Sequence, residues 1–229
     1  MKFDVILQAR SLSTRLPGKM FLELGHFTVV EYLIRNLKKI RLIDKICLAV
    51  PDDEFSELFL KLAKKNKIKF FVAKNVKEND LLSRFYLCAK KFKSQNILRI
   101  TPDCPFINIY MINLMIEQYR KNALLYLTNN KPKRFVPHGF DCEIFNISLL
   151  REAYKKTKNY YDREHVTPWI YKNYFKKKKN FIKIFDKDYS NLRVTLDYFS
   201  DYYFFKKNFR HLSKLSLSKK PETIINKLI

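Results

Sequence analysis

Glycine is nearly absent from this chain, which has three glycines among its 229 residues. Each of them lies in or beside a segment of distinctive polar composition, at Gly18, Gly25 and Gly139. Glycine adopts backbone conformations that strain other residues, so a sequence that uses it this rarely is expected to place it where the backbone requires it. The three glycines therefore indicate a backbone constraint within those segments.

Paired cysteines and long apolar runs are missing as well. The four cysteines form no C-x-x-C pair, so we do not expect a structural zinc site built from them and the four histidines. No apolar run approaches the about 20 residues of a transmembrane helix, and no secretory apolar segment is present. The sequence therefore predicts a cytoplasmic protein with reduced thiols and without membrane insertion.

Acidic residues are few compared with basic ones, 22 against 46, and the formal net charge is +24. Such a charge first suggests a basic nucleic-acid-binding domain, whose affinity would depend strongly on salt. The excess is spread along the chain, however, together with many Asn, Ile, Phe and Tyr residues, as AT-rich genomes encode. The sequence lacks the aromatic and basic signature of a known nucleic-acid module. We therefore expect no nucleic-acid partner and keep this function as the third alternative.

The composition and length predict one folded domain, 1–229, because apolar residues make up 47% of the chain and aromatic residues 15%. In the first half, about 1–125, short apolar segments alternate with amphipathic helical segments. This alternation predicts a parallel α/β sheet covered by helices, with ligands at the carboxyl ends of the strands. The predicted strands of this half are 3–7, 43–50, 69–72 and 96–100.

The second half, about 126–229, has a less regular pattern. Its apolar segments predict strands at 124–128, 140–146, 181–185 and 192–196. Helical periodicity predicts helices near 148–156 and 162–173 and a helical C-terminal region. We find no internal repeat and no long linker, so the two halves are predicted to form one unit.

A polar loop follows the first predicted strand and carries three cations among small and polar residues. These residues are Gln8, Ala9, Arg10, Ser13, Thr14, Arg15 and Lys19. Fixed cations at the carboxyl end of a strand suit the charged groups of a nucleoside triphosphate. The alternative is a solvated basic loop, which a chain this rich in Lys and Arg also favours.

The loop has a recognisable signature. The string Ala9-Arg10-x-x-Ser13-Thr14-Arg15-Leu16-Pro17-Gly18-Lys19 resembles the N-terminal motif of the cytidylyltransferases that make CMP-activated sugars, the acylneuraminate and 3-deoxy-manno-octulosonate type. It is closer still to the SpsF-like proteins of spore-coat polysaccharide synthesis. The sialic-acid branch usually has a pair of glycines where this chain has Ser11-Leu12-Ser13, which argues against a close relationship to that branch.

The resemblance implies a fold, a substrate and a cofactor. The fold would be α/β, a Rossmann-like three-layer nucleotide-diphospho-sugar transferase fold with a mixed, mostly parallel sheet. The family uses CTP with Mg²⁺, its members are commonly homodimers, and the loop wraps the triphosphate. Arg10, Arg15 and Lys19 are therefore expected to hold phosphates and, together with Asp103, to act in catalysis.

Two aspartates follow apolar strands, Asp103 in the first half and Asp197 in the second. Carboxylates in such positions suit Mg²⁺, which takes only one or two protein carboxylates and completes its shell with water and phosphate oxygens. Both segments resemble family motifs, T-x-D-C-P and R-x-T-v-D, which implies a metal site at the two aspartates and a nucleotide contact at Thr101. The alternative for Asp103 is a helix cap or a turn. Asp201 is interpreted as an exposed helical residue.

Two further segments resemble family motifs that help to form the acceptor pocket. Pro137 to Glu143 resembles P-x-G-x-D-x-E and places His138 and Asp141 near the acceptor. A second stretch, 162–168, resembles the R-E-H-V-T-P motif of the SpsF-like branch and adds Arg163, Glu164 and His165. The resemblance thus implies that the first half binds the nucleotide and the second half the acceptor. The plainer alternatives are an N-cap at Asp162, a packed His165 and a polar strand position at Glu143. The acceptor would be a small anionic compound, a sugar acid or a phosphorylated molecule.

Two remaining motifs were weighed in the same way. The stretch 79–85 resembles a D-v-L-x-R-y segment, so Arg84 is expected at the nucleotide edge, with a surface ion pair as the alternative. The triplet Asp186-Lys187-Asp188 has the D-x-D form of glycosyltransferases that use nucleotide sugars, but it is more typical of a turn. The sequence therefore predicts a CTP-dependent nucleotidyltransferase that releases pyrophosphate, with such a glycosyltransferase as the second alternative.

Overall fold

The computed structural model describes residues 1–9, 13–175 and 177–228. Strands and helices alternate through the first half, as the sequence pattern predicts. These elements are β1 (Phe3–Gln8), β2 (Glu23–Leu24), β3 (Phe27–Thr28), α1 (Val29–Leu37), β4 (Ile43–Pro51), α2 (Ser56–Lys65), β5 (Lys69–Ala73), α3 (Leu81–Lys91), β6 (Asn96–Arg99) and α4 (Ile109–Lys121).

The second half adds two strands and six helices to the described part of the chain. They are β7 (Tyr126–Thr128), β8 (Glu143–Asn146), α5 (Ile147–Lys156), α6 (Tyr160–His165), α7 (Pro168–Tyr174), α8 (Phe199–Lys207), α9 (Phe209–Leu217) and α10 (Pro221–Ile225). None of the helices in the described ranges is both long and apolar enough to cross a bilayer.

One six-stranded sheet forms the centre, in the order β5-β4-β1-β6-β8-β7. The pairs among β5, β4, β1 and β6 are parallel, whereas β8 runs antiparallel to both of its neighbours. The mixed, mostly parallel sheet is therefore confirmed. Its register places Arg99 of β6 between Ile6 of β1 and Glu143 of β8, which becomes important at the site.

The alternation of side chains along β1 shows why the sheet is covered on both faces. Val5 and Leu7 belong to a large buried cluster with α1, α2 and α4, whereas Ile6 belongs to a second buried cluster with α3, α5 and α7. Successive side chains of a strand point to opposite faces, so the apolar run Val5-Ile6-Leu7 requires helices on both sides. This arrangement is the predicted three-layer architecture.

Several predicted elements of the second half differ from the structure. Segments 181–185 and 192–196 are not strands, and each makes a single isolated bridge, Phe181 to Thr128 and Arg193 to His138. The apolar pattern of these segments comes from packing against the core, because Phe185, Val194 and Leu196 are buried without a continuous strand partner. The predicted helix 162–173 is broken into α6 and α7, and β8 begins three residues later than predicted.

Candidate active site

The carboxyl ends of β1 and β6 border a cavity of about 490 Å³, within the size range of small-molecule sites. Its walls come from the polar loop after β1, the segment after β6, the start of α3 and the end of α6. The lining residues are Gln8, Ser13, Thr14, Arg15, Lys19, Met20, Leu81, Arg99, Thr101, Pro102, Asp103, Glu164 and His165. This is the edge at which open parallel sheets bind ligands.

Lys19 joins the two aspartates that the sequence singles out. Its Nζ donates to Asp103 Oδ2 at 2.8 Å, to Asp197 Oδ1 at 3.0 Å and to the carbonyl oxygen of Leu196 at 2.7 Å. The Lys19 side chain is only 10% exposed, so this ammonium group is held by all three acceptors in a largely buried position. The two carboxylates therefore face one point, although 84 and 178 residues separate them from Lys19 in sequence.

Arg15 reaches the same rim from the loop after β1. Its Nη2 lies 2.6 Å from Asp197 Oδ1, and its guanidinium group is 5.4 Å from the ring centre of Tyr198. Burial alone would raise the pKa of Asp197, but hydrogen bonds from Lys19 and Arg193 and the charge of Arg15 outweigh it. The pKa of Asp197 therefore lies below its usual value, and the carboxylate is ionised at neutral pH.

The segment that carries Asp197 is held in place by two neighbouring loops. The backbone N–H of Leu196 donates to Asp103 O at 2.9 Å, while the backbones of His138 and Val194 are joined by a bond of 2.7 Å. Gly139 makes this approach possible, because it has φ +102° and a Cβ there would lie 2.3 Å from Val194 O. The backbone constraint that the sequence predicts at this glycine is therefore explained by the contact that positions Asp197.

Asp201 supports Asp197 from the first turn of α8. Its Oδ2 accepts the backbone N–H groups of Asp197 and Tyr198 at 2.8 and 2.9 Å, and its Oδ1 accepts Arg193 Nε at 3.2 Å. Arg193 in turn donates through Nη2 to Asp197 Oδ2 at 2.5 Å. The interpretation of Asp201 as an exposed residue is wrong, because its side chain is 13% exposed and enclosed by these contacts.

The donor set at this rim fits a hard divalent cation. Asp103 Oδ2 and Asp197 Oδ1 both lie within 3.0 Å of one nitrogen atom, so two carboxylate oxygens converge on a single position. Magnesium takes one or two protein carboxylates and completes its octahedron with water and phosphate oxygens. Within the described ranges no group of three or more His, Cys, Asp or Glu residues could hold a metal. Asp103 and Asp197 are therefore the residues that would hold Mg²⁺, with a triphosphate as co-ligand.

The residues predicted for the acceptor fall into two places. His138 and Asp141 lie beside the Asp197 segment rather than in the cavity wall, and Asp141 accepts Asn130 Nδ2 at 2.6 Å and pairs with Arg134 at 2.7 Å. Burial, together with the positive charges of Arg134 and Arg193, lowers the pKa of His138. His138 is therefore neutral at pH 7, so its imidazole can both donate and accept a hydrogen bond.

Of the second predicted pair, His165 lines the cavity and Arg163 does not. Arg163 donates to Asp80 Oδ2 through Nε at 3.0 Å and Nη2 at 2.7 Å, and to Thr157 O through Nη1. These contacts fasten α6 to the first turn of α3, where the Asp80 side chain is the N-cap. The N-cap of α6 is Asn159, so the alternative reading of Asp162 as the cap is wrong.

Arg84 lies outside the cavity wall. Its side chain is buried, with 1% of the residue exposed, and its Nη2 donates to Glu78 O at 2.8 Å. The Arg84 side chain is therefore not on the surface, and the expected contact with the nucleotide stays a prediction. Arg10 lies outside the described residues. Ala9 is buried, and its N–H donates to Ala49 O, so the cavity side of the loop is formed by its polar members.

Glu164, named in the sequence together with Arg163 and His165, lines the cavity, whereas the sequence prediction missed Arg99 as a lining residue and Arg193 as a partner of Asp197. Arg99 stands four positions before Asp103, in the same motif, and its place at the end of a buried strand could have indicated it. Arg193 belongs to the motif that contains Asp197. The D-x-D triplet forms a turn, in which Asp188 accepts the N–H of Ser190, and it is not part of the cavity wall.

Comparison with known proteins agrees with this geometry. The family model described as Cytidylyltransferase matches residues 5–221. The chain belongs to the cytidylyltransferase family. It is thus a nucleotidyltransferase, and the resemblance of its N-terminal loop to that family is confirmed.

Two curated relatives and one solved structure are among the proteins similar to this cytidylyltransferase. An uncharacterised protein of Methanocaldococcus jannaschii is 30% identical, over 95% of this chain and 87% of the relative. The spore coat polysaccharide biosynthesis protein SpsF of Bacillus subtilis is 27% identical, over 72% of this chain and 68% of its own. A cytidylyltransferase structure from Leptospira borgpetersenii has a TM-score of 0.85 and 30% identity, and the alignment covers 100% of this chain and 94% of that one.

Proposed function

We propose that this cytidylyltransferase transfers CMP from CTP to a small anionic acceptor, such as a sugar acid, and releases pyrophosphate. The observation that carries the proposal is the position of Lys19, whose ammonium group bridges Asp103 and Asp197 beside Arg15. Cations and two metal-binding carboxylates at one rim are what nucleotidyl transfer from a triphosphate requires. The similarity to SpsF supports a role in polysaccharide synthesis.

The reaction follows from charge and position. An oxygen of the acceptor attacks the α-phosphorus of CTP, the new P–O bond forms, and the bond to the β-phosphate oxygen breaks in line. Arg15 and Lys19 bind the phosphates and offset the charge of the pyrophosphate that leaves. Asp103 and Asp197 would hold a magnesium ion, which would supply further charge neutralisation. An acceptor that is already an anion needs no strong general base, and the proton of a hydroxyl acceptor can pass to solvent.

Lys19 also keeps the two carboxylates close together before a substrate binds. Two carboxylates that share a site repel one another, and one of them then tends to bind a proton. The ammonium group between Asp103 and Asp197 removes that repulsion, and the lowered pKa of Asp197 agrees with it. The Asp197 carboxylate is therefore ionised at neutral pH.

The nucleotide specificity is tested by thermal stabilisation with Mg²⁺ and each of the four nucleoside triphosphates. We expect CTP to raise the melting temperature most, because a ligand that binds only the folded state stabilises it. A larger shift with ATP or GTP would contradict the cytidine assignment. A shift with UDP-glucose or GDP-mannose, and turnover without pyrophosphate, would instead favour the glycosyltransferase alternative.

The metal site is tested by Asp103→Asn. This variant keeps the shape of the side chain and one oxygen acceptor for Lys19, so we expect the fold to be maintained while Mg²⁺-dependent pyrophosphate release is lost. Asp188→Asn, in the turn outside the cavity, is the matched control and should retain full activity. Wild-type turnover in Asp103→Asn would remove Asp103 from the metal site.

A further inference from the structure

Arg99 is a further cation of the cavity wall, and among the described residues it does not take part in the ion pairs that join Lys19 to the two aspartates. It is the last residue of β6, its side chain is 21% exposed, and within the described part of the chain its ion pair is with Glu143. Arg99 Nη1 lies 2.9 Å from Glu143 Oε2. Glu143 therefore holds one terminal nitrogen of the guanidinium group, while the Arg99 side chain lines the cavity.

Glu143 is buried and serves as an anchor for this guanidinium group. It lies directly opposite Arg99 in the antiparallel register of β6 and β8, and only 3% of the residue is exposed. Its Oε2 also accepts the hydroxyl of Thr167 at 2.8 Å, and its Oε1 accepts the hydroxyl of Tyr126 at 2.7 Å. Burial and the charge of Glu143 raise the pKa of Tyr126, so this phenol stays a donor. Three donors thus fix both carboxylate oxygens and, through them, the orientation of Arg99.

A strained turn holds one of these donors in place. Val166 has φ +70° and ψ −52°, and the N–H of Thr167 donates to His165 O at 2.8 Å, which closes a γ-turn. A positive φ is unfavourable for a β-branched residue and persists where the surroundings over-determine it. The turn places His165 in the cavity wall and the Thr167 hydroxyl on Glu143. The strained residue Val166 thus lies between His165, which lines the cavity, and Thr167, which donates to the Glu143 that holds Arg99.

Stability alone gives a weak reason for this arrangement. Removing a carboxylate from water is costly, and replacing a buried ion pair by apolar residues is often neutral or stabilising. At a cavity wall, the ion pair with Glu143 can instead hold the guanidinium group of Arg99 in one orientation. Its Nε and Nη2 stay available as donors, and their planar fork matches the oxygens of a carboxylate or a phosphate.

We propose that Arg99 binds the acidic group of the acceptor, a carboxylate or a phosphate, and that Glu143 is the positioning residue behind it. The proposal rests on the proposed function, because it needs an acceptor in this cavity. The phosphates of CTP have Arg15 and Lys19 as partners at the rim. Arg99 is instead held by Glu143, which is itself held by Tyr126 and Thr167, and all three of these residues belong to the half predicted to bind the acceptor.

The test measures two affinities by calorimetry for each variant. The first is the affinity for CTP with Mg²⁺. The second is the affinity for an acid, either 3-deoxy-manno-octulosonate, which carries a carboxylate, or glycerol 3-phosphate, which carries a phosphate. This affinity is measured in the presence of CMP, which fills the nucleotide part of the cavity without allowing turnover. Arg99→Lys keeps the charge beside Glu143 but removes the fork. We expect one acid to bind the wild type and about tenfold or greater weakening in this variant, with CTP affinity within about twofold.

Further variants separate positioning from general destabilisation. Glu143→Gln removes the charge behind Arg99, keeps an oxygen acceptor for one of the two hydroxyl donors, and should also weaken binding of the acid selectively. Arg99→Gln/Glu143→Gln removes both charges and avoids leaving one of them buried alone. The control is Lys65→Gln, which takes a cation from the buried Glu31 outside the cavity. It should lower the melting temperature without changing the affinity for the acid.

The outcomes distinguish this inference from the proposed function. If CTP fails to bind the wild type, the proposed function is wrong and the inference falls with it. If CTP binds but neither acid binds the wild type, the role of Arg99 is refuted while nucleotide transfer stands. Equal acid affinity in wild type and Arg99→Lys refutes it too, as does a parallel loss of CTP and acid affinity in Glu143→Gln.

Discussion

Gly139→Ala is the perturbation that most directly tests how Asp197 is positioned. The added Cβ would lie 2.3 Å from Val194 O and 2.6 Å from its carbonyl carbon, and both atoms belong to the backbone. No side-chain rotation can relieve such a contact, so the loop at Gly139 and the segment before Asp197 must separate. Two backbone bonds join them, from the N–H of His138 to Leu192 O at 2.8 Å and from the N–H of Val194 to His138 O at 2.7 Å.

The expected loss follows from these contacts. Breaking two backbone hydrogen bonds reduces the free energy of unfolding by about 1–3 kcal/mol. Strain from a positive φ at alanine adds about 1–3 kcal/mol, so we expect about 2–6 kcal/mol in total. The displacement also moves Asp197 away from Lys19, and we expect Mg²⁺-dependent turnover with CTP to fall by about a hundredfold or more, the scale of a transition-state contact.

Chemical denaturation and a pyrophosphate-release assay measure the two effects. Gly18→Ala is the matched control for stability, because Gly18 has φ +67° but nothing lies within 4 Å of its added Cβ. It should reduce the free energy of unfolding by about 1 kcal/mol, from backbone strain alone. If the two variants lose the same stability and Gly139→Ala retains wild-type turnover, the close approach does not position Asp197 and our reasoning is refuted.

Two further predictions concern buried carboxylates. Asp201→Asn leaves one oxygen to accept hydrogen bonds from two backbone N–H groups and Arg193. We therefore expect turnover to fall about tenfold and the Mg²⁺ concentration for half-maximal activity to rise. Unchanged values would show that Asp197 keeps its position without Asp201. For Glu31, burial would raise the pKa, but Lys65, Thr28 and Asn66 hold it at about 2, below its usual value of 4.5. The stabilisation by ionised Glu31 is present above pH 4.5 and is lost as the pH falls towards 2. Glu31→Gln should therefore lower the free energy of unfolding by about 2–3 kcal/mol at pH 7 and by much less at pH 2.5. Chemical denaturation at both pH values measures the difference.

The nucleotide rim is the part that local sequence patterns predict well. One buried strand ends in Gln8, and a second ends just before Thr101 and Asp103. Because parallel strands end at the same edge of a sheet, the sequence predicts that these residues lie close together. The prediction that Asp103 and Asp197 meet is confirmed by their shared contact with Lys19. Here the chemistry lies within a few residues of each strand end, so the sequence contains the signal.

The second half was predicted less well because its partners are distant. The segment 192–196 has the apolar pattern of a strand, yet it pairs with a loop at His138, and nothing in its own residues specifies that partner. Likewise, a pattern cannot show that Asp201 turns back onto the N–H of Asp197. Arg99 was overlooked because its anchor, Glu143, belongs to an antiparallel strand whose register depends on the whole sheet.

The contacts of Lys19 have a consequence for the synthesis of the protein. This lysine is made early, but its acceptors at Asp103 and Asp197 follow 84 and 178 residues later. A growing polypeptide therefore cannot form the complete set of Lys19 contacts until its translation has passed Asp197. A ligand of this rim, such as the CTP that we propose, would stabilise the finished domain by mass action but not the shorter chains still attached to the ribosome.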